Sequence, residues 1–142
     1  MDSTAPSAFW DDLADDLTDT EFLRHYIVET MRITTVDHVV NALDDARMVA
    51  GLSKAEVARA IAAQPSVVRR LFAEGHSNPT LGTLAAVAAV LGMRVTLEPL
   101  PPAVVDCVTA PLLAGEAVDA QATAACLLEL RHTHSDRSTT AA

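Results

Sequence analysis

Hydrophobic residues recur at three- and four-residue intervals along most of the chain, a pattern that predicts a succession of helices. In residues 9–17 (FWDDLADDL), Phe9, Leu13 and Leu17 fall on one helical face, and Asp11, Asp12, Asp15 and Asp16 occupy the remainder. Thr18 or Thr20 can cap a second helix, in which Phe22, Leu23, Tyr26, Ile27 and Met31 keep the same spacing. Thr34 or Thr35 offers a cap for a longer helix over about 36–50. Val39, Val40, Leu43, Arg47 and Met48 supply its periodic positions, and Gly51 supplies its stop. Ser53 and Glu56 have the spacing of a capping box, and Leu52 and Val57 that of a hydrophobic staple, so a short helix is expected to start there. A turn at Ala62, Ala63 and Gln64 precedes Pro65, a residue tolerated in the first helical position because its missing N–H is not needed there. Val68 and Leu71 then form the apolar stripe of the next helix, with Arg69 and Arg70 beside them. After a polar loop over 73–79, Thr80 caps a helix whose Leu81, Leu84, Val87, Ala88 and Leu91 are expected to point inward and which Gly92 ends.

The period then changes. Residues 93–100 (MRVTLEPL) alternate, with Val95 and Leu97 on one face and Arg94, Thr96 and Glu98 on the other, which predicts a strand. A single strand in a helical chain has no partner within its own fold. Antiparallel pairing with the same strand of a second copy would supply one, giving a two-fold dimer; the alternative is an apolar rim contact. Pro99, Pro101, Pro102 and Pro111 break the chain after that strand, and residues 114–131 are expected to form a final helix presenting Val118, Cys126, Leu127 and Leu130. Residues 1–7 and the tail over 132–142 read as disordered. The expected organisation is all-α with one short C-terminal strand: an acidic helical extension over 1–33, a central domain over 34–100 and a partly helical extension over 101–142.

Two short helices joined by a three- or four-residue turn, as over 53–71, are the helix-turn-helix arrangement of DNA-binding proteins. The stretch from Leu52 to Leu91 resembles the lambda-repressor-like (Cro-type, XRE) helix-turn-helix family. The matching positions are Leu52, Ser53, Glu56, Ala58, Val68, Arg70, Leu71, Gly75, Pro79, Leu81, Thr83, Leu84, Ala88, Leu91 and, just beyond, Gly92. In that pattern Ala58 is the small residue on which the motif closes, and Val68 is its apolar partner. Two positions depart from it. Ala62 stands where the family has its turn glycine, at a cost of about 1–2 kcal/mol if the backbone is left-handed there. Pro65 replaces a polar residue at the start of the recognition helix and offers no hydrogen bond to a base or phosphate.

The resemblance implies a set of DNA-binding residues. Lys54 would meet a phosphate, Gln64 and Ser66 would approach base edges or phosphates, and Val67 would touch a thymine methyl. Arg70, and with it Arg69, would reach a guanine or the backbone. The family's common arginine in its first helix corresponds to Arg47, for which a structural ion pair, with Glu56 as a candidate partner, is expected in preference to a base contact. A wider similarity covers about residues 17–100. The runs DLTDTEFLRHYIVE and LFAEGHSNPTLGTLAAVAAVLG look like those of HigA-like and addiction-module-antidote antitoxins. That similarity implies a dimer that binds its own operator, represses its own operon and neutralises a small RelE-like or gyrase-poisoning toxin. Two other functions stay open: a stand-alone XRE-type repressor, and a protein-binding adaptor with little DNA affinity.

Composition modifies this picture in three ways. Half of the 142 residues are apolar, but only one Trp, one Tyr and three Phe occur, which suits closely packed helices better than a β-sandwich. The net charge of −9 opposes DNA binding, because contacts to phosphate normally come from a basic surface. It is unevenly spread: residues 1–21 hold seven acids and no base, whereas residues 47–75 hold five bases and two acids. The acidic start is either a solvated helical face or a docking surface for a basic partner such as a toxin. Third, no apolar run reaches the roughly 18 residues of a membrane span and no secretory leader is seen. The expectation is therefore a cytoplasmic protein in which Cys107 and Cys126 are reduced.

No chemistry beyond binding is expected. His132, His134, Cys107 and Cys126 lack paired metal-ligand spacing, and GxSxG, P-loop and HExxH patterns are absent. His25 and His38 fall on helices as packing or capping residues, and the adjacent pairs Asp15–Asp16 and Asp44–Asp45 point to different helix faces. The reading is of a non-enzyme with no cofactor and no metal.

Overall fold

The computed structural model describes residues 4–73 and 78–140. Gly75 and most of the expected polar loop over 73–79 lie outside the described residues, as do residues 1–3 of the expected disordered start and the last two of the tail. The described residues are mostly helical, with no strand among them: α1 (Thr4–Asp16), α2 (Thr20–Ala50), α3 (Lys54–Ala60), α4 (Pro65–Leu71), α5 (Leu81–Val90), α6 (Pro102–Val104), a π-helical turn (Val105–Thr109), α7 (Ala110–Ala114) and α8 (Ala120–Thr140). They divide into two units, one made of Met1–Thr34 with Pro99–Ala142 and the other of Thr35–Glu98. The two extensions expected as separate segments thus belong to one unit.

The terminal unit is built on α1, the first half of α2, the π-helical turn and α8. Its core joins Leu13, Ala14 and Leu17 to Leu23, Ile27, Cys107, Val108, Ala124 and Leu127. Phe9, expected on the buried face of α1, is instead 57% exposed. Asp19 rather than Thr18 or Thr20 caps α2: its Oδ1 accepts from the backbone N–H of Glu21 at 3.0 Å. The expected helix break at Thr34–Thr35 does not occur. Thr30 and Thr34 turn their hydroxyls backward, donating to the carbonyls of Tyr26 and Thr30 at 2.8 Å each. Their side chains thus satisfy the preceding turn instead of starting a new one, and with no glycine or proline in the way α2 runs on. Thr30 is fully buried and also accepts from Arg131 Nε at 2.9 Å, while the Arg131 guanidinium lies 4.4 Å from the centre of the Tyr26 ring.

The C-terminal segment departs further from expectation. Pro111 has no N–H to donate to the carbonyl one turn earlier and its ring crowds that carbonyl; the widened π-helical turn just before it accommodates both. The last helix begins at Ala120 rather than near 114, because α7 ends at Gly115 and Asp119 accepts from the N–H of Ala122 to cap α8. Val118 therefore precedes the helix and is fully exposed, and α8 continues to Thr140 through most of the expected disordered tail. α1 likewise starts at Thr4, inside the stretch expected to be disordered. Cys107 and Cys126 form a disulfide, contrary to the expected free thiols. The packing of α8 on the π-helical turn sets their Cα atoms 6.4 Å apart, within bridging range.

The central unit packs the second half of α2 with α3, α4 and α5 around Val40, Leu43, Val57, Ala58, Val68, Leu71, Leu84, Val87 and Ala88. Leu81, expected to face inward, is 68% exposed in the first turn of α5. Gly51 and Gly92 take positive φ values of 72° and 73°, the left-handed conformation that ends a helix. The strand expected over 93–100 is absent. The segment runs without a turn or bend, but among the described residues no strand pairs with it, and every residue in it is exposed.

Candidate nucleic-acid interface

The two short helices α3 and α4 are set by local chemistry. Ser53 Oγ accepts from the N–H of Glu56 at 3.0 Å, and Glu56 Oε1 accepts from the N–H of Ser53 at 3.1 Å, closing the capping box. The bond from the Ser53 backbone N–H to the Glu56 carboxyl, then the Ser53 hydroxyl beside it, with a smaller contribution from Arg59, hold that carboxyl below its ordinary pKa. At the other end of α3, the Ala62 N–H donates to the Arg59 carbonyl and the Ala63 N–H to the Ala58 carbonyl, at 3.1 and 2.9 Å. This is a Schellman-type stop, and it requires a left-handed residue at its centre. Ala62 fills that place with φ 55°, so the strain of about 1–2 kcal/mol expected for a side chain there is incurred.

α4 follows at once. Gln64 occupies the N-cap in an extended conformation without a side-chain capping bond, and Pro65 is in the first turn. Over the seven residues of α4, Val68 and Leu71 are buried, whereas Pro65, Ser66, Val67, Arg69 and Arg70 are exposed. Ala58 and Val68 are fully buried in one cluster, which fixes the face that α4 turns inward. Gln64, Ser66, Val67, Arg69 and Arg70 are thus all on solvent-facing positions of one short element, and none is committed to the core. Lys54, half-buried, opens α3. A cation at a helix N-terminus is disfavoured by the helix dipole, so helix stability does not account for it.

Arg47 has a different task. Its Nε and Nη2 pair with Asp44 Oδ1 at 2.9 and 2.8 Å, and its Nη1 donates to the Leu52 carbonyl at 2.9 Å. Its guanidinium sits 5.7 Å from the centre of the Phe72 ring. The expected partner, Glu56, is engaged by the backbone of Ser53. Arg47 therefore links the end of α2, the entry to α3 and the residue following α4, and is a positioning residue. Asp44, three positions earlier on the same helix face, is the sequence signal for this pairing.

Charge is partitioned between the units. Thr35–Glu98 contains six acids and six bases, a net charge of zero; the remaining residues contain thirteen acids and four bases, which accounts for the whole −9. Within 54–70, Lys54, Arg59, Arg69 and Arg70 stand against Glu56 alone. Such an array can neutralise phosphates through its cations and offer polar and apolar contacts through Gln64, Ser66 and Val67. Asp11, Asp12, Asp15 and Asp16 belong to the terminal unit, where Asp11 Oδ1 accepts from Gln121 Nε2 at 2.9 Å. Among the described residues no three His, Cys, Asp or Glu side chains converge as a metal site. Compared with known proteins, the chain matches no family model and has no significant match among curated proteins or solved structures.

Proposed function

We propose that this chain is a sequence-specific regulator that binds double-stranded operator DNA as a homodimer, with α3 and α4 as a lambda-repressor-like helix-turn-helix and α4 as the recognition helix. The observation that carries the reading is the division of α4: Val68 and Leu71 hold it to the core, while Gln64, Ser66, Val67, Arg69 and Arg70 remain exposed. The zero net charge of Thr35–Glu98 supports it, because the electrostatic cost of approaching DNA falls on the other unit. In this reading Arg70 and Arg69 contact guanine or phosphate, Lys54 contacts phosphate, and Val67 packs on a thymine methyl.

The acids of α1 favour one version, an antitoxin of a type II toxin–antitoxin pair, in the cytoplasm, that docks a small basic toxin on its N-terminal segment and represses its own operon. A stand-alone XRE-type repressor is the alternative, and the product of the neighbouring gene separates the two. The primary test is operator selection from a random duplex library, followed by binding measured across a salt series. Affinity should fall steeply with salt, and Arg70→Ala should weaken the selected site by about 1–3 kcal/mol. Lys54→Ala should weaken all sequences alike and reduce the salt slope by about one. Absence of a bound duplex at low salt would leave only the protein-binding adaptor.

A further inference from the structure

Residues 94–98 are the least committed backbone among the described residues of the central unit. Among the described residues they make no backbone hydrogen bond, the last such bond before them being that of the Met93 N–H to the Ala88 carbonyl at 2.8 Å. Neither Arg94 nor Glu98 forms an ion pair there, and Leu97 is 99% exposed. A straight segment of alternating character with unpaired N–H and C=O groups is a template for another strand.

We propose that residues 94–98 pair antiparallel with the same residues of a second copy, in a register centred on Thr96. This deepens the homodimer of the proposed function by naming its surface. The sequence of the segment selects the register. A two-fold axis between residues would place polar side chains opposite apolar ones on both faces, so the axis must pass through a residue. Centring on Arg94 or Glu98 sets like charges against each other, and centring on Val95 or Leu97 leaves both charges without an opposite partner. Centring on Thr96 alone pairs Arg94 with Glu98 of the other copy twice over. It also sets Thr96 against Thr96, and Val95 against Leu97 on the opposite face. Pro99, which has no N–H to donate, ends the ladder.

The test is a charge exchange, made on the full chain without DNA and read by sedimentation equilibrium and native mass spectrometry. Arg94→Glu places two glutamates opposite each other at both ends of the ladder, and Glu98→Arg places two arginines there. Each should raise the dimer dissociation constant about tenfold. An equimolar mixture of the two variants should recover a heterodimer, because a register centred on Thr96 then sets the two glutamates of one copy against the two arginines of the other at both ends; the double variant Arg94→Glu/Glu98→Arg restores opposite signs at both ends and should recover the homodimer at near wild-type strength. Both positions are exposed, and an unchanged circular dichroism spectrum controls for folding. A monomeric wild type, single variants that dimerise as the wild type does, or a double variant that fails to recover would each overturn the register. Because the readout needs no DNA, loss of operator binding with this dimer intact counts against the DNA reading alone.

Discussion

The terminal and central units solve the same problem, a helical core in a small chain, with different materials. The terminal unit buries large aliphatic side chains (Leu13, Leu17, Leu23, Ile27 and Leu127), adds the Cys107–Cys126 bond and carries all of the net charge. The central unit mixes valine and alanine (Val40, Val57, Ala58, Val68, Val87 and Ala88) with Leu43, Leu71 and Leu84, has no disulfide and is neutral. It also tolerates a strained residue at Ala62, in the turn that aims α4. The difference teaches that a net charge averaged over a chain is a poor guide to what any one surface can bind. It also shows where cohesion and where a tightly specified local geometry have been placed.

The largest effect that can break this comparison is a cavity in the terminal core. Leu127→Ala, at a fully buried site, should cost about 2–5 kcal/mol. Hydrogen exchange should report it as lost protection around residues 13–27 and 107–127, with amides of 57–88 retaining theirs. Equal loss in both stretches would mean that the division is one of contacts and not of stability. Reducing the Cys107–Cys126 bond comes next. Its partners are 19 residues apart, a loop for which chain entropy assigns about 3 kcal/mol. Thermal unfolding with and without a thiol reductant should therefore separate by several degrees. A regulator working on DNA in a reducing cytoplasm would hold these residues as thiols, so the stability of the reduced chain is the one that applies there.

On the central side, Ala62→Gly relieves a left-handed side chain and should stabilise the protein by about 1 kcal/mol, measured by urea denaturation. A destabilisation would mean that the turn between α3 and α4 does not hold that conformation in solution. The smallest effect is a pH dependence. The folded pKa of Glu56 is depressed, so its contribution is present above the ordinary glutamate value and is lost as pH falls through the lowered folded value. The stability difference between wild type and Glu56→Gln should therefore shrink in acid. A difference independent of pH would show that the carboxylate charge is not what the Ser53 cap uses.

The central unit was the more legible of the two, and for a physical reason. Ser53 with Glu56, Thr80 with Thr83, Pro65 and Gly92 each act within four or five residues of themselves, so the sequence states them in full. The burial of Val68 and Leu71 follows from the spacing of the apolar positions, that of Ala58 is implied by the resemblance, and the exposure of Arg69 and Arg70 follows from where that spacing leaves them. Their chemistry as DNA contacts is not a matter of spacing, which is why it stands as a proposal.

What only the tertiary structure decided lies where partners are distant or where two local outcomes compete. Thr30 meets Arg131 across a hundred residues, Cys107 meets Cys126 because α8 packs on the π-helical turn, and Arg24 Nε donates to the Leu112 carbonyl. None of these has a local sequence signal. Thr34 could cap a helix or bond backward into one, and Arg47 could reach Asp44 or Glu56; in each case the competing choices have similar local energies, and packing selects one. The segment over 94–98 shows the opposite limit. Its alternation specifies a strand, but a strand is completed by a neighbour's backbone, and nothing among the described residues of one copy provides it.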